Sequence, residues 1–135
     1  MRYTLKKAEI LRGKKNFDVI FTRGKRAEGR YLRGLFVLNA PHSKSSETPC
    51  VVGFAVARTV RRAVDRNRLK RFLRESYRRN KSILHPMIER LPTPLVLVFL
   101  YTKGAAHVSD LPEFSEIESD MKNILGEIAA TRLGT

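Results

Sequence analysis

The sequence predicts an α+β fold: a two-layer sandwich, with helices packed on one small mixed sheet in the order helix, strands, helix, strand, helix. Three observations carry this. Val51 to Ala57 and Leu95 to Tyr101 are apolar runs of strand length, rich in β-branched residues. Residues 61–81 and 110–132 instead space their apolar residues with the helical period. A chain of 135 residues with 42% hydrophobic content can bury one core, so residues 1–135 are read as a single domain.

Taken in order, residues 1–10 read as a basic arm. Phe17, Ile20 and Phe21 stand at i, i+3 and i+4, which predicts a short helix over 14–23. Gly24 fits the left-handed position that closes such a helix. Leu35 to Leu38 is a β-type run that can begin as early as Tyr31. Residues 40–49 form a polar loop dense in turn formers. Val51 to Ala57, apolar almost throughout, reads as a central strand. Pro92 and Pro94 set up the strand Leu95 to Tyr101, which Gly104 ends. The last helix begins near Asp110 or Pro112 and runs to about Arg132. Its apolar stripe is Ile117, Met121, Ile124, Leu125 and Ile128, and acidic residues crowd its first turns, where the helix dipole favours them.

Charge narrows the function. The chain has 27 Lys/Arg against 13 Asp/Glu, a net charge of +14 and a pI near 10.6. A small acidic metabolite does not require so much charge; a polyanion does, and nucleic acid is the commonest. One cysteine, Cys50, excludes an internal disulfide and any multi-cysteine zinc site. No apolar run approaches the length of a membrane helix, and the first residues lack a signal-peptide core. The expected setting is therefore cytoplasmic, with no membrane partner.

The charge is concentrated. Residues 1–81 hold 23 Lys/Arg and 6 Asp/Glu, a net of +17, whereas residues 82–135 are net acidic. The densest part is Arg58 to Lys81, with 11 basic residues in 24 positions. On a helical wheel Leu69, Phe72, Leu73 and Ser76 share one face. Asn67, Lys70, Arg71, Arg74 and Arg78 share the other, with Arg66 and Arg68 on the flanks. A solvated helix face normally mixes both signs. This one is almost all positive, and guanidinium groups present bidentate donors to phosphate oxygens. Asn67 adds a group able to hydrogen-bond a sugar or base edge. The pattern alone leaves open a ribosomal or ribosome-assembly protein, a DNA-groove binder and a nuclease.

The run Ala63-Val64-Asp65-Arg66-Asn67-Arg68-Leu69-Lys70-Arg71-Phe72-Leu73-Arg74-Glu75 resembles the signature of the bacterial ribonuclease P protein component, Ala-Val-x-Arg-Asn-Arg-x-Lys-Arg-x-x-Arg-Glu, at every specified position. Phe17, Phe21 and Gly24, the two flanking strands and the C-terminal helix fall in the family order, so the resemblance spans about residues 5–130. It implies a left-handed βαβ crossover containing the motif helix, an exception to the usual hand. It also implies the subunit of an endoribonuclease that removes the 5′ leader of precursor tRNA. There the RNA subunit is the catalyst and holds the magnesium ions, and the protein alone is inactive. The implied partners are ribonuclease P RNA and precursor tRNA, with no obligate protein partner.

Two surfaces follow from the resemblance. Arg58, Arg61, Arg62, Arg66, Asn67, Arg68, Lys70, Arg71 and Arg74 are assigned to the ribozyme. Phe17, Phe21, Tyr31 and Asn39 are assigned to a cleft for the single-stranded leader, where aromatic stacking suits any base. The chain departs from the family in two places. Two lysines common before the motif are Arg58 and Thr59 here, and an aromatic common near the end of the first strand is replaced by Asn39.

No protein active site assembles from the remaining residues. His42, His85 and His107 lack metal-ligand spacing. Cys50 reads as a small apolar filler. Glu113, Glu116 and Asp120 read as a solvated helix face, and Asp65 and Glu75 as ion-pair partners of neighbouring arginines. No glycine-rich phosphate loop is present.

Overall fold

Four strands in the order β1-β2-β4-β3 make the sheet of a computed structural model that describes residues 20–38, 50–91, 95–103 and 111–131. Helix α1 is described at 20–23. It is followed by β1 (Lys25–Glu28), β2 (Leu32–Leu38), β3 (Cys50–Val56), α2 (Ala63–Asn80), a 3-10 turn (Lys81–Leu84), α3 (His85–Arg90), β4 (Leu95–Tyr101) and α4 (Phe114–Ala130). The expected arm at 1–10, the loop at 40–49, and Phe17, Asn39, His42, Pro92, Pro94, Gly104 and His107 lie outside the described residues.

The sheet is mixed, as expected, but its centre differs. β2 pairs antiparallel with β1 and with β4, and β3 pairs parallel with β4. β3 is therefore an edge strand, not a central one. Its apolar run reflects one well-covered face: Cys50, Val52 and Gly53 are buried, whereas Val51 and the last three residues are only half-buried. β4 is the strand enclosed on both faces, and six of its seven residues are buried. A parallel neighbour needs a crossover, which α2 and α3 supply between β3 and β4.

Alternation along the strands divides the core. Leu32, Phe36, Val52, Leu97, Phe99 and Tyr101 point to one face and pack against Leu69 and Leu73 of α2 and Ile117, Met121, Ile124 and Ile128 of α4. Leu35, Val96 and Val98 point to the other face and gather around Ile20 of α1. The helical period in α2 and α4 thus meets the two-residue period of the sheet at a single seam.

Two glycines permit close approach. A Cβ at Gly34 would stand 2.8 Å from Ile124 Cγ2, so α4 lies on β2 only because position 34 has no side chain. Gly24 closes α1 with an N–H donated to the Ile20 carbonyl at 2.8 Å. Its backbone is not left-handed, contrary to the expectation. A Cβ there would meet that same carbonyl at 2.6 Å, and this excludes larger residues.

Three elements escaped the sequence reading. β1 reads Lys-Arg-Ala-Glu, with only Ala27 buried, so it carries no apolar pattern. The 3-10 turn and α3 are too short to show periodicity; they are fixed by burial of Leu84 and Met87. α4 begins within two residues of Pro112 and ends at Ala130, its start set by a capping box between Glu113 and Glu116.

Asp120 corrects another reading. It is not part of a solvated face but 5% exposed. Its carboxylate accepts the backbone N–H groups of Arg30, Tyr31 and Leu32 at 2.8, 2.9 and 2.9 Å. Those three amides end the β1–β2 hairpin, so one side chain of α4 fixes the hairpin to the helix layer. Glu113 and Glu116 are exposed, as expected.

Candidate nucleic-acid interface

Helix α2 is anchored from beneath and charged above. Leu69 and Leu73 are fully buried, Ser76 is buried and donates to the Leu73 carbonyl at 3.1 Å, and Phe72 is half-buried. Tyr77 fills the space under the helix, edge-on to Phe54, with its hydroxyl 3.5 Å from Cys50 Sγ. Cys50 is buried at the start of β3. These contacts hold the helix rotation, and therefore the direction in which its basic side chains point.

The polar and basic side chains divide into three groups, the free, those bound within the entry to α2 and the neutralised, while exposed Arg68 lies over the Phe72 ring. Arg58, Arg61, Asn67, Lys70, Arg71 and Arg74 are exposed, and their side chains have no hydrogen-bond or ion-pair partner among the described residues. Arg62 is exposed and 3.8 Å from Asp65, which is buried in the first turn. Arg66 belongs to the architecture. Its guanidinium donates to the carbonyls of Val60 at 2.8 Å and Arg61 at 2.9 Å, closing the loop that leads into α2. The third group is neutralised. Arg78 is paired with Glu75, and this bond holds the Glu75 carboxyl below its ordinary range. Arg79 lies 3.4 Å from Glu118 of α4.

The free cations therefore run from the 58–62 lead-in along α2 to Arg74. Repulsion along such a row is unfavourable until a polyanion neutralises it. Val64, 58% exposed beside this row, escaped the wheel because nothing in the periodicity marks an apolar residue as solvent-facing.

The second expected surface is only partly in view. Phe21 is 40% exposed at the end of α1, so it is not a core residue; its neighbour Ile20 fills the core there. Tyr31 is placed elsewhere. It stacks on Tyr101 at 6.5 Å, with Arg30 over its ring, and its hydroxyl donates to Glu116 at 3.3 Å. It packs with the α4-side core, whereas Ile20, the chain neighbour of Phe21, packs with the opposite cluster. The position of Tyr31 just before β2 gave no signal of this; the Asp120 contacts to the hairpin decide it. Phe17 and Asn39 lie outside the described residues.

No group of three or more His, Cys, Asp or Glu that could hold a metal ion occurs among the described residues. Several carboxylates are engaged: Asp65 lies 3.8 Å from Arg62, Glu75 pairs with Arg78, and Glu118 pairs with Arg79 and accepts from the Asn80 amide at 3.1 Å. No described helix is long and apolar enough to cross a membrane.

Fold and surface together define a class: a small α+β sandwich that offers one cationic helix, set between parallel strands, to a polyanion. Comparison with known proteins makes this specific. The Ribonuclease P family profile matches residues 5–129. The ribonuclease P protein component of Chlorobaculum tepidum is 35% identical over 96% of this chain and 89% of its own length. That of Porphyromonas gingivalis is 31% identical over 94% and 88%. The solved RNase P protein of Thermotoga maritima superposes with a TM-score of 0.65 at 28% identity, covering 88% of this chain and 96% of that one. The Staphylococcus aureus RNase P protein shares the fold, with a TM-score of 0.64 at 19% identity over 92% and 97%. The chain belongs to the ribonuclease P protein family. It is a component of an endoribonuclease of tRNA 5′ maturation, and its partner is ribonuclease P RNA.

Proposed function

We propose that the chain binds the catalytic RNA of ribonuclease P through the row from Arg58 to Arg74 and holds the precursor-tRNA leader near Phe21. The observation that carries this is the row of six exposed polar and cationic side chains without a partner among the described residues. Arg71 and Arg74 lie three residues apart on one helical face, about 5–6 Å between Cβ atoms, which lets both reach phosphates of one folded strand. Lys70 supplies a point charge beside them, and Asn67 an amide for a sugar or base edge.

The reaction itself belongs to the RNA on this reading, and magnesium ions held there supply the nucleophile and the charge stabilisation. The protein acts by position and field. Guanidinium groups offset phosphate repulsion where the RNA folds tightly, and this lowers the magnesium concentration that folding and cleavage require. Phe21 offers a ring face to an unpaired leader base, a contact every base can make.

The test is cleavage of precursor tRNA at low magnesium with the cognate RNA alone, the protein alone and both together. Cleavage only when RNA is present, stimulated by the protein at low magnesium, is expected. Cleavage by RNA-free protein would overturn the assignment of catalysis, and no stimulation would overturn the assignment of the cationic row.

A further inference from the structure

A pocket of about 510 Å³ opens between α2 and α4, bordered by the end of the cationic row. Arg68, Arg71, Phe72, Arg74 and Glu75 line it from α2 together with Arg79, and Phe114 closes it from α4. Its size falls in the roughly 300–1,000 Å³ range of small-ligand clefts.

The lining is dominated by flat groups. Phe72 and Phe114 meet edge to face, with centroids 5.5 Å apart and planes at 76°. The Arg68 guanidinium lies 5.3 Å from the Phe72 centroid, and that of Arg79 lies 5.6 Å from Phe114. Both rings are half-buried, so each keeps ring surface on a strongly charged flank of the protein. Nucleobases stack on aromatic rings and on guanidinium planes alike.

The charges are sorted as well. Arg71 and Arg74 have no carboxylate partner among the described residues, while Glu75 is already paired with Arg78. A phosphate is drawn to Arg71 and Arg74, and the Glu75 carboxylate disfavours its entry beside the rings. The base is the part of a nucleotide that suits the interior.

We infer that this pocket takes one unpaired nucleobase splayed out of ribonuclease P RNA, stacked against Phe72 and Phe114, with its flanking phosphates on Arg71 and Arg74. The inference rests on the reading that α2 docks on that RNA, and it adds a stacking contact to an otherwise electrostatic surface. Such a contact gives the interface a fixed register, which a row of cations alone does not.

The experiment measures the affinity of the full-length protein for its cognate ribonuclease P RNA over a salt series, with melting curves for each variant. Phe114→Leu is expected to weaken binding about tenfold, as loss of a base–aromatic stack does, with the salt slope unchanged. Phe114→Tyr keeps the ring and should bind like the parent. Arg71→Ala should weaken binding and lower the salt slope by about one. If Phe114→Leu binds normally while Arg71→Ala is weakened, the pocket inference fails and the docking reading stands. If neither variant is weakened, the docking reading fails too. Equal loss in the leucine and tyrosine variants would also overturn the stacking role. Ultraviolet cross-linking of the unsubstituted complex needs no variant. A nucleotide adduct on Phe72 or Phe114 is expected, and adducts confined to other residues would overturn the inference.

Discussion

The Arg66 guanidinium donates to the Val60 carbonyl oxygen at 2.8 Å, so the first arginine of the motif is spent on the chain's own backbone. It bridges to Arg61 as well, and Val60 beneath is fully buried. The entry to α2 has no side-chain cap at Arg62. Arg66 takes over part of that role by holding the preceding turn.

Arg66→Ala is therefore expected to cost stability of about 1.5–3 kcal/mol, the usual range for hydrogen bonds to a charged group. Arg71→Ala, on the open face, should leave stability within about 0.5 kcal/mol of the parent. Urea denaturation of the two variants checks this; equal midpoints would show that the Arg66 contacts carry no weight.

Asp120→Ala leaves three hairpin amides without their acceptor. The expected loss is about 3 kcal/mol, since each unsatisfied buried donor costs about 1–3 kcal/mol and the exposed end of the hairpin recovers water. Gly29→Ala should be similarly harmful, because its Cβ would stand 2.3 Å from Asp120 Oδ1. Chemical denaturation of both variants measures this, and a parent-like midpoint for Asp120→Ala would contradict the clamp.

Gly34→Ala tests the seam between α4 and β2. The added methyl meets Ile124 Cγ2 at 2.8 Å, so overpacking of about 1–3 kcal/mol is expected. Pairing it with Ile124→Val should recover part of the loss. A double variant no more stable than Gly34→Ala would place the strain elsewhere.

The Glu75–Arg78 pair gives a pH dependence of known sign. Arg78 holds the Glu75 carboxyl below its unfolded value, so the contribution is present above the unfolded value. It is lost as pH falls through the lower, folded one. Both side chains are well exposed, and solvent screening keeps the effect small. Glu75→Gln should melt like the parent only once the pH is well below the ordinary carboxylate range, and lie slightly below it at pH 7. A larger gap at acid pH than at neutral pH would reverse the assignment.

Phe21→Ala should weaken binding of precursor tRNA with a leader more than binding of leaderless product, measured with the assembled holoenzyme. Equal loss for both substrates would remove Phe21 from the leader surface.

The sequence reading found α2 and α4 by their helical period and β2, β3 and β4 as apolar runs of strand length. It missed β1 and α3: β1 buries only Ala27 and is held by pairing with β2, and α3 is too short to show a period. It placed the apolar strand Cys50–Val56 in the centre of the sheet, where β4 stands, since hydrophobicity reports burial and not neighbour order. At the candidate site the wheel separated the cationic face from Leu69 and Leu73. It could not see that Arg66, Arg78 and Arg79 are committed to other groups, or that Phe114 meets Phe72.

The sequence by itself determined the elements with a strong period, the cationic character of α2 and membership in the family, because these depend on residue order alone. Tertiary structure decided which cations stay free, that Asp120 is buried under the hairpin, that Tyr31 lies on the α4 side, and that a pocket forms between Phe72 and Phe114. The placements of Asp120, Tyr31 and the pocket depend on contacts between residues far apart in the chain, which exist only once the layers have packed; the free cations are sorted by side-chain geometry within and just before α2, which residue order does not show.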